Sequence, residues 1–143
     1  MSLNEEIEIK CPKCEEKQQT TIWESLNADI DPEAKEELFK GQINVFWCQK
    51  CQFKSFLPVS LLYHDMTRKF MVQYFPVEFF DNNNFFNQFL EDGSFKNVSN
   101  DKIERIDYLQ QRQIVFDMCG LVGYILFREK LFEKFSNKSK IEK

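Results

Sequence analysis

The sequence predicts an α+β domain: a zinc-ribbon-like antiparallel β-sheet with two Cys-x-x-Cys knuckles and a helix inserted between them, plus a C-terminal strand and helices packed on the sheet. Three observations predict it. Cys11-Pro12-Lys13-Cys14 and Cys48-Gln49-Lys50-Cys51 are thiol pairs at the spacing of metal-binding turns. Strand-like stretches flank them, Glu-Ile-Glu-Ile-Lys before Cys11 and Gln-Gln-Thr-Thr-Ile-Trp after Cys14. Beyond residue 117, apolar residues recur at helical spacing.

Taken in order, Leu3–Lys10 and Lys17–Leu26 form a hairpin across the first thiol turn. Asp31 is placed to cap a helix with Pro32 at its first position, Glu33, Glu36 and Glu37 near its positive end, and Gly41 as its stop, giving a helix over 32–40. Gln42–Trp47 and Phe53–Val59 make the second hairpin, across the second thiol turn. Leu61–Tyr63 and Lys69–Phe75 flank the polar His64-Asp65-Met66-Thr67-Arg68 and extend the sheet by one more hairpin, which Pro76 ends.

Asp81 can cap a short helix carrying Phe85, Phe86, Phe89 and Leu90 on one face, with Gly93 as its stop. Residues 94–107 are polar and read as a loop. For Ile103–Phe135, periodicity alone allows one long helix. The Gln- and β-branched-rich Gln110–Phe116 and the capping residue Asp117 instead favour a strand near 109–116 and a helix near 118–135. Met118, Leu121, Val122, Ile125, Leu126, Phe132 and Phe135 form its expected sheet-facing side. The Lys- and Ser-rich residues 136–143 read as a fraying tail. The chain is thus one domain, a β part over 3–75 and a helix–strand part over 76–135.

Composition bounds the function. With 143 residues, 43% hydrophobic and 16 Phe, the chain can bury a single core and is not wholly disordered. A formal net charge of -4 is the wrong sign for a surface that collects phosphates. Residues 1–40 hold 11 acidic and 5 basic side chains, so the acidity is N-terminal. Met1–Lys10 lacks the basic start and apolar stretch of a secretory signal, and Met118–Phe127 falls short of the roughly twenty apolar residues that cross a bilayer. These features predict a cytoplasmic protein with no membrane partner.

Five cysteines, Cys11, Cys14, Cys48, Cys51 and Cys119, are an odd number and argue against a disulfide framework. Two Cys-x-x-Cys turns facing each other complete a tetrahedron of four thiolates with no open position, the set that structural zinc favours. Cys11, Cys14, Cys48 and Cys51 are the expected ligands of one Zn2+ per chain. The 33 residues between the pairs exceed the usual 15 to 20. Doubling a closing loop costs only about 0.6 kcal/mol, whereas structural zinc contributes about 10 to 16 kcal/mol in small peptides. Two reduced pairs that merely pack, or a redox pair beside an unrelated one, are the competing readings; a redox pair would open a helix, and strands flank Cys11 and Cys14.

Cys11-Pro12-Lys13-Cys14, the insert from Leu26-Asn27 to Gly41 with Asp31-Pro32-Glu33, Val45-Phe46-Trp47-Cys48-Gln49-Lys50-Cys51, and Leu61-Leu62-Tyr63-His64-Asp65 followed by Lys69-Phe70-Met71-Val72 resemble the CpXC domain family. The resemblance spans nearly the whole chain. It implies the metal and the fold, and a strand followed by a helix near the C-terminus, but no reaction. The chain departs from the family pattern at Gln49, where the second turn lacks Pro, and at Glu15 and Gln52, where knuckles often carry Gly for a left-handed backbone.

His64 is the sole histidine, and with Asp65 it forms the candidate for a secondary site, as a general base or substitute metal ligand. Adjacent residues of an extended strand point to opposite sides, so the sequence favours a structural histidine and assigns no catalytic residue. Cys119, among apolar neighbours, is expected to be a buried, inert thiol. Phe46, Trp47, Phe53 and Phe56 with Lys50 and Lys54 could stack single-stranded bases, though a half-buried strand explains the alternation as well. Three function classes follow: a zinc-stabilised module that binds another protein, which the closed sulfur site favours; a nucleic-acid-binding ribbon; and, least favoured, a small metal or thiol enzyme using His64 and Asp65. The aromatic wealth also leaves room for a homodimer.

Overall fold

The computed structural model describes residues 2–95 and 113–141, with side chains to residue 136. Among the described residues, seven strands form two sheets: β1 (Leu3–Lys10), β2 (Lys17–Asn27), β3 (Val45–Trp47), β4 (Lys54–Phe56), β5 (Leu61–Asp65), β6 (Phe70–Tyr74) and β7 (Gln113–Val115). The helices are α1 (Pro32–Phe39), α2 (Asn83–Phe86) and α3 (Met118–Ile141), with a 3₁₀ turn over Val77–Asp81. The five-stranded sheet runs β1-β2-β5-β6-β7, and β3-β4 stands apart as a two-stranded ribbon.

The α+β class and all three expected hairpins are present. The main sheet is mixed rather than antiparallel: β2 pairs β5 and β6 pairs β7 in parallel, while β1–β2 and β5–β6 are antiparallel. For β2 and β5 the reason is the connection over residues 28–60. It carries the chain out through α1 and the β3–β4 ribbon and returns it beside β2 in the same direction, as a crossover connection must.

The inner half of β2 enters the core. Ser25–Asn27 pair with Leu62–His64, whereas the outer parts of β1 and β2 are largely exposed and project as a long hairpin with the first thiol turn at its tip. Leu26, Leu38, Ile43, Leu61, Tyr63, Phe70 and Val72 close the core against Leu121 and Ile125 of α3.

Asp31 occupies the residue before α1, but its side chain makes no capping hydrogen bond. Asn27 organises that corner instead, its Oδ1 accepting from the N–H groups of Asp29 at 2.9 Å and Ile30 at 3.3 Å. Gly41, at φ 73°, ends the helix in a Schellman turn, Gln42 N–H to Glu37 C=O and Gly41 N–H to Leu38 C=O.

The C-terminal part is shorter and longer than expected in turn. Asn82, not Asp81, caps α2 by accepting from Asn84 N–H, and the helix stops at Phe86. Phe89 and Leu90 lie beyond it, because Gly93 at φ 91° folds the chain back and Phe89 pairs with Phe95. Phe75, Phe79, Phe85 and Phe89 still meet, with Phe75 and Phe85 edge to face at 4.9 Å. Gln113–Val115 is the expected strand, and residues 109–112 and the loop over 96–107 lie outside the described residues.

Asp117 accepts from Gly120 N–H, the expected cap of α3. That helix runs to Ile141 rather than ending at Phe135. Twenty-four residues span about 36 Å, twice the length of the five-residue strands β5 and β6 beneath it. The helix therefore outruns the sheet: Leu121 and Ile125 are fully buried, but Phe132 and Phe135 are exposed, and Leu126 is exposed because it lies one residue off the buried stripe. Cys119 is exposed as well, one residue out of phase with the buried stripe, which corrects the expectation of a buried thiol. Among the described residues no helix is long and apolar enough to cross a membrane.

Candidate metal centre

The two thiol turns are near copies of each other. In the first, Glu15 N–H donates to Cys11 C=O at 2.9 Å and Cys11 N–H to Glu16 C=O at 2.8 Å. In the second, Gln52 N–H donates to Cys48 C=O at 2.9 Å and Cys48 N–H to Phe53 C=O at 2.8 Å. The residue after each second cysteine is left-handed, Glu15 at φ 66° and Gln52 at φ 67°. Both positions adopt the conformation that favours Gly without having Gly, at about 1 to 2 kcal/mol each.

The turns bring all four sulfurs together. Sγ of Cys11 lies 3.6 Å from Sγ of Cys51, Sγ of Cys14 lies 3.5 Å from Sγ of Cys48, and all four lie within 4.8 Å of one another. A disulfide needs about 2.05 Å, and none of the five cysteines is in one. A tetrahedron with metal–sulfur distances of about 2.3 Å places its sulfurs about 3.8 Å apart. The cluster fits a metal ion. Cys11 and Cys48 are wholly buried, each from one turn, beneath Phe46 with Ile9, Phe53 and Leu57 around them.

Hydrogen bonding prepares the thiolates unevenly. The Cys51 N–H, with that of Lys50, outweighs burial at Cys48 and holds its thiol down at about 6. Burial raises Cys11, but the N–H groups of Cys14 and Lys13 overcome it, so this thiol also lies below its ordinary value. At Cys14 a backbone hydrogen bond at Glu16 favours the thiolate, yet burial and the three neighbouring sulfurs push it up to about 12. Four thiolates this close would need a cation among them; without one, repulsion between the sulfurs keeps a proton on Cys14.

Two amides, neither of them singled out by the sequence, hold the second turn to the first hairpin. Gln18 of β2 donates from Nε2 to Trp47 C=O at 2.8 Å and accepts at Oε1 from Gln49 N–H at 3.0 Å. Asn44 accepts at Oδ1 from Trp23 N–H at 2.7 Å and donates from Nδ2 to Trp23 C=O at 2.9 Å. Each amide pairs like a one-residue strand. Asn44, at φ 55°, is one of the few residue types that tolerate a left-handed backbone, and this is its only sequence signal. Gln18 carries none.

The structure does not bring His64 and Asp65 into one site. They are neighbours on β5 with opposite faces, and Asp65 is buried against Arg68, accepting from its N–H at 2.8 Å and its Nη1 at 3.0 Å. Burial lowers the pKa of His64. Among the described residues the four thiols are the one cluster of three or more side chains suited to a metal.

A mixed sheet, a detached two-stranded ribbon and paired left-handed cysteine turns define a small α+β domain organised around a four-sulfur centre. The family model of the CpXC protein matches residues 9–139. The chain belongs to the CpXC family, and the match takes in both thiol turns, α1, the β5–β6 hairpin and most of α3. No curated protein and no solved structure matches it.

Proposed function

We propose that Cys11, Cys14, Cys48 and Cys51 bind one structural Zn2+ and that the domain is an adaptor that binds another protein. The carrying observation is the closed set of four sulfurs. Zinc with four thiolates has no position for a substrate, so the ion is architecture. Thiolates of this kind persist in a reducing compartment, consistent with a cytoplasmic protein. An exposed apolar groove of about 420 Å³ between α1, β4 and α3, floored by Leu38, Phe39, Met118 and Val122 and edged by Phe56 and Leu126, supports the protein-binding reading. Elemental analysis of purified protein should give one zinc per chain, and capture from native lysate with the metal retained should yield a specific protein. Absence of stoichiometric metal overturns the first half, and recovery of nucleic acid alone the second.

One observation favours a second reading. Trp47 is half-exposed with the Lys54 ammonium 5.3 Å from its ring centre, an aromatic and cationic pair suited to stacking single-stranded bases. Binding of this kind weakens steeply with salt, and salt-independent or absent oligonucleotide binding rejects it.

A further inference from the structure

Where α3 outruns the sheet it passes over the β5–β6 turn, and the two enclose a cavity of about 200 Å³ lined by Arg68, Arg128, Leu131, Phe132 and Phe135. Two guanidiniums on an otherwise apolar wall call for counter-charge. Asp65 supplies one, at 3.0 Å from Arg68. Glu129 acts on Arg68 at longer range but is itself paired with Lys35. Arg128 donates from Nη1 to the neutral Tyr124 hydroxyl at 3.0 Å, and among the described residues no carboxylate lies within ion-pair distance of it. Among the described residues, Arg68, Arg128 and Lys35 thus face only Asp65 and Glu129, which leaves one positive charge in excess.

Both guanidiniums are held by aromatic rings. Arg68 lies 5.6 Å from the Phe132 ring centre, and Arg128 lies 4.9 Å from that of Phe70 and 5.9 Å from that of Tyr124. Stacking uses the faces of a guanidinium and leaves its N–H edges to hydrogen bond. A single excess charge matches a monoanion, and three apolar side chains match a hydrocarbon body. Inorganic phosphate would satisfy the arginines and leave the apolar side chains without a partner.

We propose that this cleft binds small organic carboxylates, with Arg68 and Arg128 on the carboxylate and Leu131, Phe132 and Phe135 on the apolar body. The carboxylate can belong to a free aryl or alkyl acid or to the end of a peptide. The test is NMR titration of the intact, metal-loaded protein with benzoate, benzamide, inorganic phosphate and N-acetylphenylalanine. Benzoate should saturate the arginine side-chain signals with a Kd on the order of 1 mM, an ordinary efficiency for so small a ligand. Benzamide, which lacks the charge, should bind at least about tenfold more weakly.

Arg128→Lys keeps the charge and loses the planar fork, so benzoate affinity should fall about fivefold or more with the melting temperature little changed. Should that variant fail to fold, Phe135→Ala at an exposed position serves, weakening benzoate and sparing phosphate. Tighter binding of N-acetylphenylalanine than of benzoate supports a peptide terminus as the source, and the reverse supports a free acid. No saturation by benzoate, equal binding of benzamide, tighter binding of phosphate, or full affinity in both variants overturns the proposal.

Discussion

Replacing Asn44 by Ala tests the idea that side-chain amides, and not only the metal, hold the second thiol turn in place. Asn44 is 4% exposed, and its side chain satisfies both the N–H and the C=O of Trp23. Deleting it strands two backbone groups at about 1 to 3 kcal/mol each; Trp23 is half-buried, so water recovers part and the low end applies, about 2 kcal/mol together. Alanine at φ 55° adds about 1 kcal/mol of backbone strain, for a total of about 3 kcal/mol. That is a large share of a domain's 5 to 15 kcal/mol. Asn44→Gly removes the same hydrogen bonds without the strain, so it should recover about 1 kcal/mol of the loss. The measurement is urea unfolding of the metal-loaded protein for both variants. A loss under about 1 kcal/mol in Asn44→Ala refutes the hydrogen-bond argument, and equal losses in both variants refute the strain argument.

Chelation should unfold the β1–β2 tip and the β3–β4 ribbon, since the metal contributes about 10 to 16 kcal/mol against the small buried group of Cys11, Phe46 and Cys48; circular dichroism and melting before and after chelator check this. Cys11→Ser should reproduce the chelated state, while Cys119→Ser, at an exposed position, should shift stability by no more than about 0.5 kcal/mol in the same melts. Asp29 accepts from Thr67 Oγ1 and from Met66 N–H at 2.6 Å, and these hold its carboxyl below its ordinary value. Its contribution is therefore complete above the ordinary Asp value of about 3.9 and is lost as pH falls through the lower folded value. Asp29→Asn should lower the melting temperature near neutral pH and close the gap to wild type in acid, which a melting series over pH reads directly.

What was legible in the sequence is what short-range chemistry dictates. Cys-x-x-Cys spacing marks the four thiols that come together, alternation marks β1 and β2, and Pro32 with Gly41 brackets α1 because those residues act on their own backbone. Strand direction was not legible. Pairing of β2 with β5 depends on how a 33-residue crossover returns, and no local pattern records it. Nor was the exposure of Phe132 and Phe135, because periodicity gives the face of a helix and not the length of the sheet beneath it. Gln18 escaped for a related reason. An amide on the exposed part of a strand looks solvated until the backbone it pairs with, 29 residues on, is in place.

The division of buried residues gives these observations a common cause. One group, from Leu26 to Ile125, is broad enough to fold on hydrophobic burial and fixes β2, β5, β6, α1 and α3. The other has Phe46 as its one fully buried large side chain, yet it must hold two left-handed non-glycine turns and a three-residue ribbon. Burying one such side chain is worth about 1.5 to 3 kcal/mol, no more than the strain at Glu15 and Gln52 together, so hydrophobic packing alone cannot set this end of the molecule. A metal ion among the four thiols would supply what is missing, and the Gln18 and Asn44 amides fix where the second turn sits. The domain is therefore two parts with different sources of stability, joined along β2. Loss of the metal should leave the α3-covered sheet folded and release the ribbon, so the surface around Trp47 and Phe56 exists as a defined shape only while the four thiolates are bridged.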